Sequence, residues 1–211
     1  MDKGEKYIRD LIRQGEHQQL DFKYAVNDSR KIARSLVAFA NTDGGKLLIG
    51  VKDNGVVRGI HSEEEYYMIQ NAAERYCKPA VEFSSKEWNI SGKKVLEVTI
   101  PASKITPHKA PDKDGKYKAF IRLHDENILA SGVQMKVWKK QNSDENISIT
   151  IEHENQILLD MLKDNKAITV QDFQQEAGLP KHPAEDIISD FIVMGIIEMK
   201  MNGKQLLFSL K

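Results

Sequence analysis

The chain has 211 residues, 40% hydrophobic and 29% charged, with 31 Lys and Arg balancing 31 Asp and Glu. That is an ordinary composition for one large or two small globular domains. A single cysteine, Cys77, excludes an internal disulfide framework, and no apolar run reaches the roughly 20 residues a membrane helix needs.

The N-terminal residues show no signal-peptide pattern, so a cytoplasmic protein with no membrane partner is expected. Charge is uneven along the chain. Residues 1–144 hold 25 Lys and Arg against 20 Asp and Glu, a net of +5, whereas residues 145–211 hold 6 against 11, a net of −5. Only the first part presents a field suited to a phosphate backbone.

Taken in order, residues 5–14 predict a helix through Ile8, Leu11 and Ile12, ended by Gly15. Residues 19–24 predict a strand with Leu20 and Phe22 on one face and Asp21 and Lys23 on the other. Ser29 is the expected N-cap of a second helix with Ile32, Leu36, Phe39 and Ala40 as its stripe, closed by Gly44-Gly45. Lys46 to Lys52 predicts a buried strand, and Asp53-Asn54-Gly55 a turn into a partner strand, Val56 to Ile60. Ser62 and Glu65 predict a capping box for a helix reaching Cys77. Val81 to Ile90 and Lys94 to Pro101 predict two strands. Residues 102–116 form a loop, Tyr117 to His124 a strand, and Ile128 to Lys139 a closing helix.

Near residue 142 the texture becomes polar and aperiodic, so Gln141 to Asn146 is the expected linker between a domain at 1–140 and another at 146–211. The second predicts helices over Glu154–Asp164, Thr169–Ala177 and Pro183–Met194. A hairpin follows, Ile196–Met201 and Gln205–Leu210, turning at Asn202-Gly203. That order predicts a winged helix-turn-helix.

Asp21 and Lys23 are two apart on a strand and leave the same face. Glu16 precedes them by one loop, and Asp53 ends the buried strand. Three carboxylates, Glu16, Asp21 and Asp53, are candidate ligands for Mg2+ or Mn2+, and Lys23 could neutralise charge developing on a phosphodiester. An exposed acidic-x-lysine face that only meets water is the plainer reading, and Asp53 is also ordinary turn chemistry. Candidate nucleic-acid contacts are Lys23, Arg30, Lys31, Lys46, Arg58, Lys118 and Arg122, with the loop at His108 and Lys109 near the last two.

The run from Glu16 through Asp21-Phe22-Lys23, then Ala38-Phe39-Ala40-Asn41-Thr42-Asp43-Gly44-Gly45, then Leu48-Ile49-Gly50-Val51 with Asp53 and Gly55, resembles the Schlafen-type AlbA-like domain. Val95 to Pro101, Pro107-His108, Arg122 and Ala130 continue the match over about residues 10–135. The resemblance implies an α/β (α+β) domain with a mixed sheet. It also implies a DNA-binding role in bacterial members, often joined to a helix-turn-helix in a transcriptional regulator. Some eukaryotic relatives are metal-dependent nucleases that cut tRNA and rRNA, and Glu16, Asp21, Lys23 and Asp53 fall on their catalytic positions. Asp21 stands where those nucleases carry Glu. They also pair two such lobes, so one lobe here implies a homodimer. An older family name implied ATP binding, but Gly44-Gly45-Lys46-Leu47 lacks the spacing and hydroxyl of a phosphate loop.

The expectation is therefore a nucleic-acid-binding regulator, on DNA or RNA. The alternative is a metal-dependent nuclease acting on RNA or single strands. The acidic third helix, with Glu185, Asp186 and Asp190, argues that the second domain serves contacts between proteins.

Overall fold

The structure is a computed structural model and describes residues 2–143, 152–165 and 167–211. By contacts the chain divides into two compact units, Met1–Ala130 and Ser131–Lys211. The expected linker residues 144–146 lie outside the described residues. No described helix is long and apolar enough to cross a membrane.

The first unit is built on a four-stranded mixed sheet. β1 (Leu20–Lys23) pairs in parallel with β2 (Gly45–Ile49), and β4 (Lys93–Ile100) joins β2 and β3 (Ser84–Ile90) in antiparallel fashion. The parallel β1–β2 pair needs a crossover, which α2 (Ser29–Ala40) supplies. Strand periodicity sorts the apolar residues between two faces. Leu47, Ile49, Leu96, Val98 and Ile100 meet α2, whose Leu36, Val37 and Phe39 are fully buried. Leu20, Phe22, Leu48, Ile90 and Val95 meet Ile8 of α1 (Lys3–Gln14). Each such buried side chain contributes roughly 1.5–3 kcal/mol.

The Asn41-Thr42-Asp43-Gly44-Gly45 run does specific work. Asn41 caps α2, and its amide donates to the carbonyls of His108 and Phe120 while accepting from the His108 N–H. One buried side chain thus ties the loop after β4 to the helix. A side chain at Gly45 would sit 2.4 Å from the Phe39 ring, so only glycine lets β2 pass so near α2.

Several local expectations change. Asp28, not Ser29, caps α2, accepting from the Arg30 and Lys31 N–H groups, while the Ser29 hydroxyl donates to the Met68 carbonyl. Val56–Ile60 forms no strand and makes only an isolated bridge, Val51 with Val57. Past α3 (Glu64–Asn71) the helix continues as a π-helical turn, Ala72–Tyr76. Glu65 does accept from the His61 and Ser62 N–H groups, but the Ser62 hydroxyl accepts from Glu64 rather than from Glu65. The loop at 102–116 contains β5 (Ala110–Pro111), paired with β6 (Tyr117–Lys118). Ala119 separates β6 from β7 (Phe120–Leu123), and Glu126–Leu129, expected partly as helix, is β8 paired with β7.

In the second unit α4 (Gly132–Gln141) packs on α7 (Lys181–Val193). Lys136 reaches Asp186 at 2.7 Å, and Lys140 reaches Asp190 at 2.7 Å and the Ser189 hydroxyl at 2.8 Å. This helix was expected to close the first domain. Assigned by its contacts, it carries three lysines across, and the first unit holds 22 Lys and Arg against 19 Asp and Glu, net +3. α5 (His153–Asp164) and α6 (Val170–Ala177) complete a helical core with Leu158, Phe173, Ile188 and Phe208. Thr169 and Asp172 form a capping box on α6. The hairpin of β9 (Ile197–Asn202) and β10 (Gln205–Leu210) turns at Gly203-Lys204, one residue later than expected.

Glu185 is 4% exposed and lies against Gly132, where an added Cβ would sit 2.3 Å from its Oε1. Helix propensity alone favours Ala over Gly by about 1 kcal/mol. Forcing a buried carboxylate aside costs about 1–3 kcal/mol. Gly132→Ala should therefore lower the melting temperature measured by circular dichroism, and a rise would show that the contact is slack.

Candidate nucleic-acid interface

Asp21 projects from β1 toward α2 and is 2% exposed. Three groups surround it. Lys23, on the same strand face, places Nζ 2.7 Å from Asp21 Oδ2. Arg122, from β7, places Nη2 3.4 Å from Asp21 Oδ1. Glu16 folds back so that its Oε1 accepts from the Phe22 N–H at 2.8 Å. Parity explains the first, and the His17–Leu20 bridge, which turns the chain sharply into β1, explains the last.

Arg122 is itself 2% exposed. Its guanidinium donates to the carbonyls of His17 and Leu20 and to Asn127 Oδ1, and lies over the Phe39 ring at 5.1 Å. Asn127 in turn donates to the Ser35 hydroxyl on α2. β1 is an outer strand of the sheet. Arg122 and Glu16 satisfy backbone groups along it, so this edge is closed by side chains instead of another strand.

Burial, and then the adjacent Asp21 carboxyl, push Glu16 up to about 7, against the Phe22 N–H and Lys23, which favour its ionised form. Asp21 Oδ2 has no partner of good hydrogen-bond geometry, although Lys23 Nζ is close. The adjacent Asp21 carboxyl favours the protonated form of Glu16.

Beside this cluster lies a groove of about 270 Å3 lined by Lys23, Asn27, Asp28, Lys31 and Ser35. It adjoins a wider one, about 640 Å3, which shares Lys31 and adds Arg34, Lys113 and Asn127 together with Asp112 and Asp114. The structure thus gathers Glu16, Asp21, Lys23 and Arg122, and sets Lys31 beside Lys23. The other expected residues lie apart. Arg30 stacks its guanidinium on the Tyr76 ring. Lys46 pairs with Glu97 on the opposite sheet face. Arg58 and Lys118 are exposed elsewhere, and His108 is buried between Pro79 and Ser103. Asp53 is exposed in its turn.

The residues do not fit a divalent metal as they stand. The Asp21 carboxylate already faces two cations, and with Glu16 raised to about 7 a metal ion would compete there with a proton. Among the described residues no group of three or more His, Cys, Asp or Glu is placed to hold a metal ion. Ser35, Asn127 and the burial of Arg122 escaped the sequence reading. Arg122 shares strand parity with apolar Phe120, and Ser35 sits one turn from Ile32 within an apolar helix, which are the available signals.

The family model for Schlafen, AlbA_2 matches residues 16–131, more than half of the chain. The chain belongs to the Schlafen AlbA_2 family. The matched stretch contains the whole Glu16–Asp21–Lys23–Arg122 cluster and the Asn41 clasp of this AlbA_2 domain. Among solved structures, the chain is similar to the DIP2311 protein from Corynebacterium diphtheriae, with 16% identity and a TM-score of 0.48 over 90% of this chain. It spans only 34% of that protein's chain. It is also similar to the N-terminal domain of a RecG-related protein from Nitrosomonas europaea, with 20% identity and a TM-score of 0.40. That match covers 72% of this chain and 98% of the other. Both scores are too low to carry a function across.

The raised Glu16 has a pH consequence. The folded state keeps its proton up to about 7, whereas the unfolded chain loses it near 4.5. Between these values the folded state binds more protons, so stability falls as pH rises, by on the order of 1 kcal/mol after solvent screening, and is flat above. Glu16→Gln should flatten that segment of a urea-denaturation pH profile. An unchanged slope in the variant would assign it to other groups.

Proposed function

We propose that the AlbA_2 domain binds nucleic acid along the paired grooves beside α2, with Lys23 and Lys31 as the central phosphate contacts. The observation that carries this reading is their convergence on one groove, next to a buried cluster that fixes Lys23. Family membership and the net +3 charge of the first unit support it. Asp21 serves here as the counter-charge that orients Lys23, and Arg122 holds Asp21 in place.

The second unit, in which α5, α6 and α7 lead into the β9–β10 hairpin, acts as a winged-helix module in a transcriptional regulator. Its α7 places Asp186 and Asp190 against lysines of α4, which covers the side that a groove-reading helix would need. We assign it to contacts between proteins, including a second copy of this chain. A metal-dependent nuclease would require Asp53, exposed in its turn, to join Glu16 and Asp21.

Fluorescence anisotropy with labelled tRNA and with single- and double-stranded DNA tests the reading. The affinity should fall as salt rises, and Lys23→Glu with Lys31→Glu should weaken it at least about 10-fold. Equal affinity in the double variant, or binding indifferent to salt, would contradict the assignment. Repeating the assay in Mn2+ and in EDTA should leave the nucleic acid intact in both.

A further inference from the structure

The sheet face opposite Asp21 carries a second groove that this function does not use. It measures about 400 Å3, within the roughly 300–1,000 Å3 of small-ligand sites. Its lining includes Tyr7 of α1, Lys46 of β2, Ser84, Lys86 and Trp88 of β3, and Thr99 of β4. α1 packs over Leu48, Ile90 and Val95, and the groove occupies the polar part of the same face.

Glu97 forms its floor and is 4% exposed. Tyr7 Oη donates to Glu97 Oε1 at 2.7 Å, Lys46 Nζ to the same oxygen at 2.6 Å, and Trp88 Nε1 to Oε2 at 2.7 Å. Burial pushes the Glu97 carboxyl up, but the bonds from Lys46, Tyr7 and Trp88 outweigh it and hold the group below its ordinary value. The carboxylate is therefore ionised with its charge spent inward. It also pins the polar ends of both aromatic side chains, leaving their rings 5.2 Å apart and half-buried at the groove.

A donor inventory gives the ligand class. Lys46 Nζ carries three protons and places two, on Glu97 and Thr99. Lys86 Nζ carries three and rests 3.9 Å above the Trp88 ring, an exposed cation–π contact that is weak enough to exchange. The hydroxyls of Ser84 and Thr99 add two more. Donors and positive charge therefore exceed the acceptors left to meet them. Pinning α1 to the sheet explains Tyr7, Trp88 and Lys46, but requires neither Lys86 nor Ser84.

We propose that this groove binds one nucleotide, its phosphate between Lys46 and Lys86 and its base against the Trp88 and Tyr7 rings. Moving Lys86 onto the phosphate uncovers the indole face for the base. The same chemistry is offered by a free nucleoside monophosphate and by one unit of a single strand. The site stands apart from Lys23 and Lys31 and does not depend on them.

Trp88 fluorescence in a Trp138→Phe background tests the proposal by titration with AMP, UMP, inorganic phosphate and a dT oligomer. Saturable quenching by nucleotide, weakened at least about 5-fold by Lys86→Glu, is the expected result. Quenching by the monophosphates identifies a free nucleotide, and quenching by the oligomer alone identifies a strand. No quenching by any of them, or equal affinity in Lys86→Glu, overturns the proposal. The Lys23→Glu, Lys31→Glu variant should retain the quenching. Its loss there would assign the signal to the other groove and also overturn the proposal, while loss of bulk nucleic-acid affinity alone would leave it standing.

Discussion

A buried aspartate beside a buried arginine constrains most of the first unit. Asp21 and Arg122 are each 2% exposed, and each buried charge faces the other, with Lys23 as the second cation on Asp21. The pair joins the outer strand β1 to β7, and through Asn127 and Ser35 it joins both to α2. It also closes a sheet edge that would otherwise offer unpaired backbone groups. Removing one partner of such a pair costs about 3–5 kcal/mol, because the survivor remains desolvated. The same contact that holds the fold therefore holds Lys23 at the mouth of the groove.

The opposite end of the sheet solves a similar problem in another way. There the buried Glu97 is neutralised by Lys46 instead of by an arginine, and accepts hydrogen bonds from Tyr7 and Trp88. The two clusters lie on opposite faces because strand side chains alternate, and β2 separates them with apolar residues on both sides. Polar chemistry is thus displaced to the two places where the helices stop covering the sheet. Each cluster holds a partly exposed lysine at its rim, Lys23 in one and Lys46 in the other, and each adjoins a groove.

Much of the architecture was legible from periodicity. The α1 stripe, the alternation in β1, the continuous apolar β2 and the two strands of the second unit's hairpin all follow local rules, although its turn falls at Gly203-Lys204 and not at Asn202-Gly203. What escaped depends on distant partners. Ser29 looked like a cap because its neighbour's competing carboxylate, Asp28, could be judged only with the helix start in hand. Glu126–Leu129 carries a mixed pattern that becomes a strand because β7 is there to pair with it. The grouping of Glu16, Asp21 and Lys23 was visible in spacing, whereas the burial of Arg122 was not, since an arginine on a short strand ordinarily faces water. Lys46 looked like part of the same nucleic-acid surface as Lys23, but it lies on the opposite sheet face, paired with Glu97, 51 positions later. Asp53 shows the reverse case, a residue singled out by position whose turn leaves it in solvent.

The central claim is that Asp21 and Arg122 act as one structural unit. A double-mutant cycle with Asp21→Asn, Arg122→Gln and both together, followed by urea denaturation at pH 7, addresses it most directly. Each single change should cost about 3 kcal/mol, and the double variant should cost well short of their sum, with a coupling above about 1.5 kcal/mol. Additive losses would show that Asp21 is held by other groups and that the clasp at the edge of β1 is not what positions Lys23.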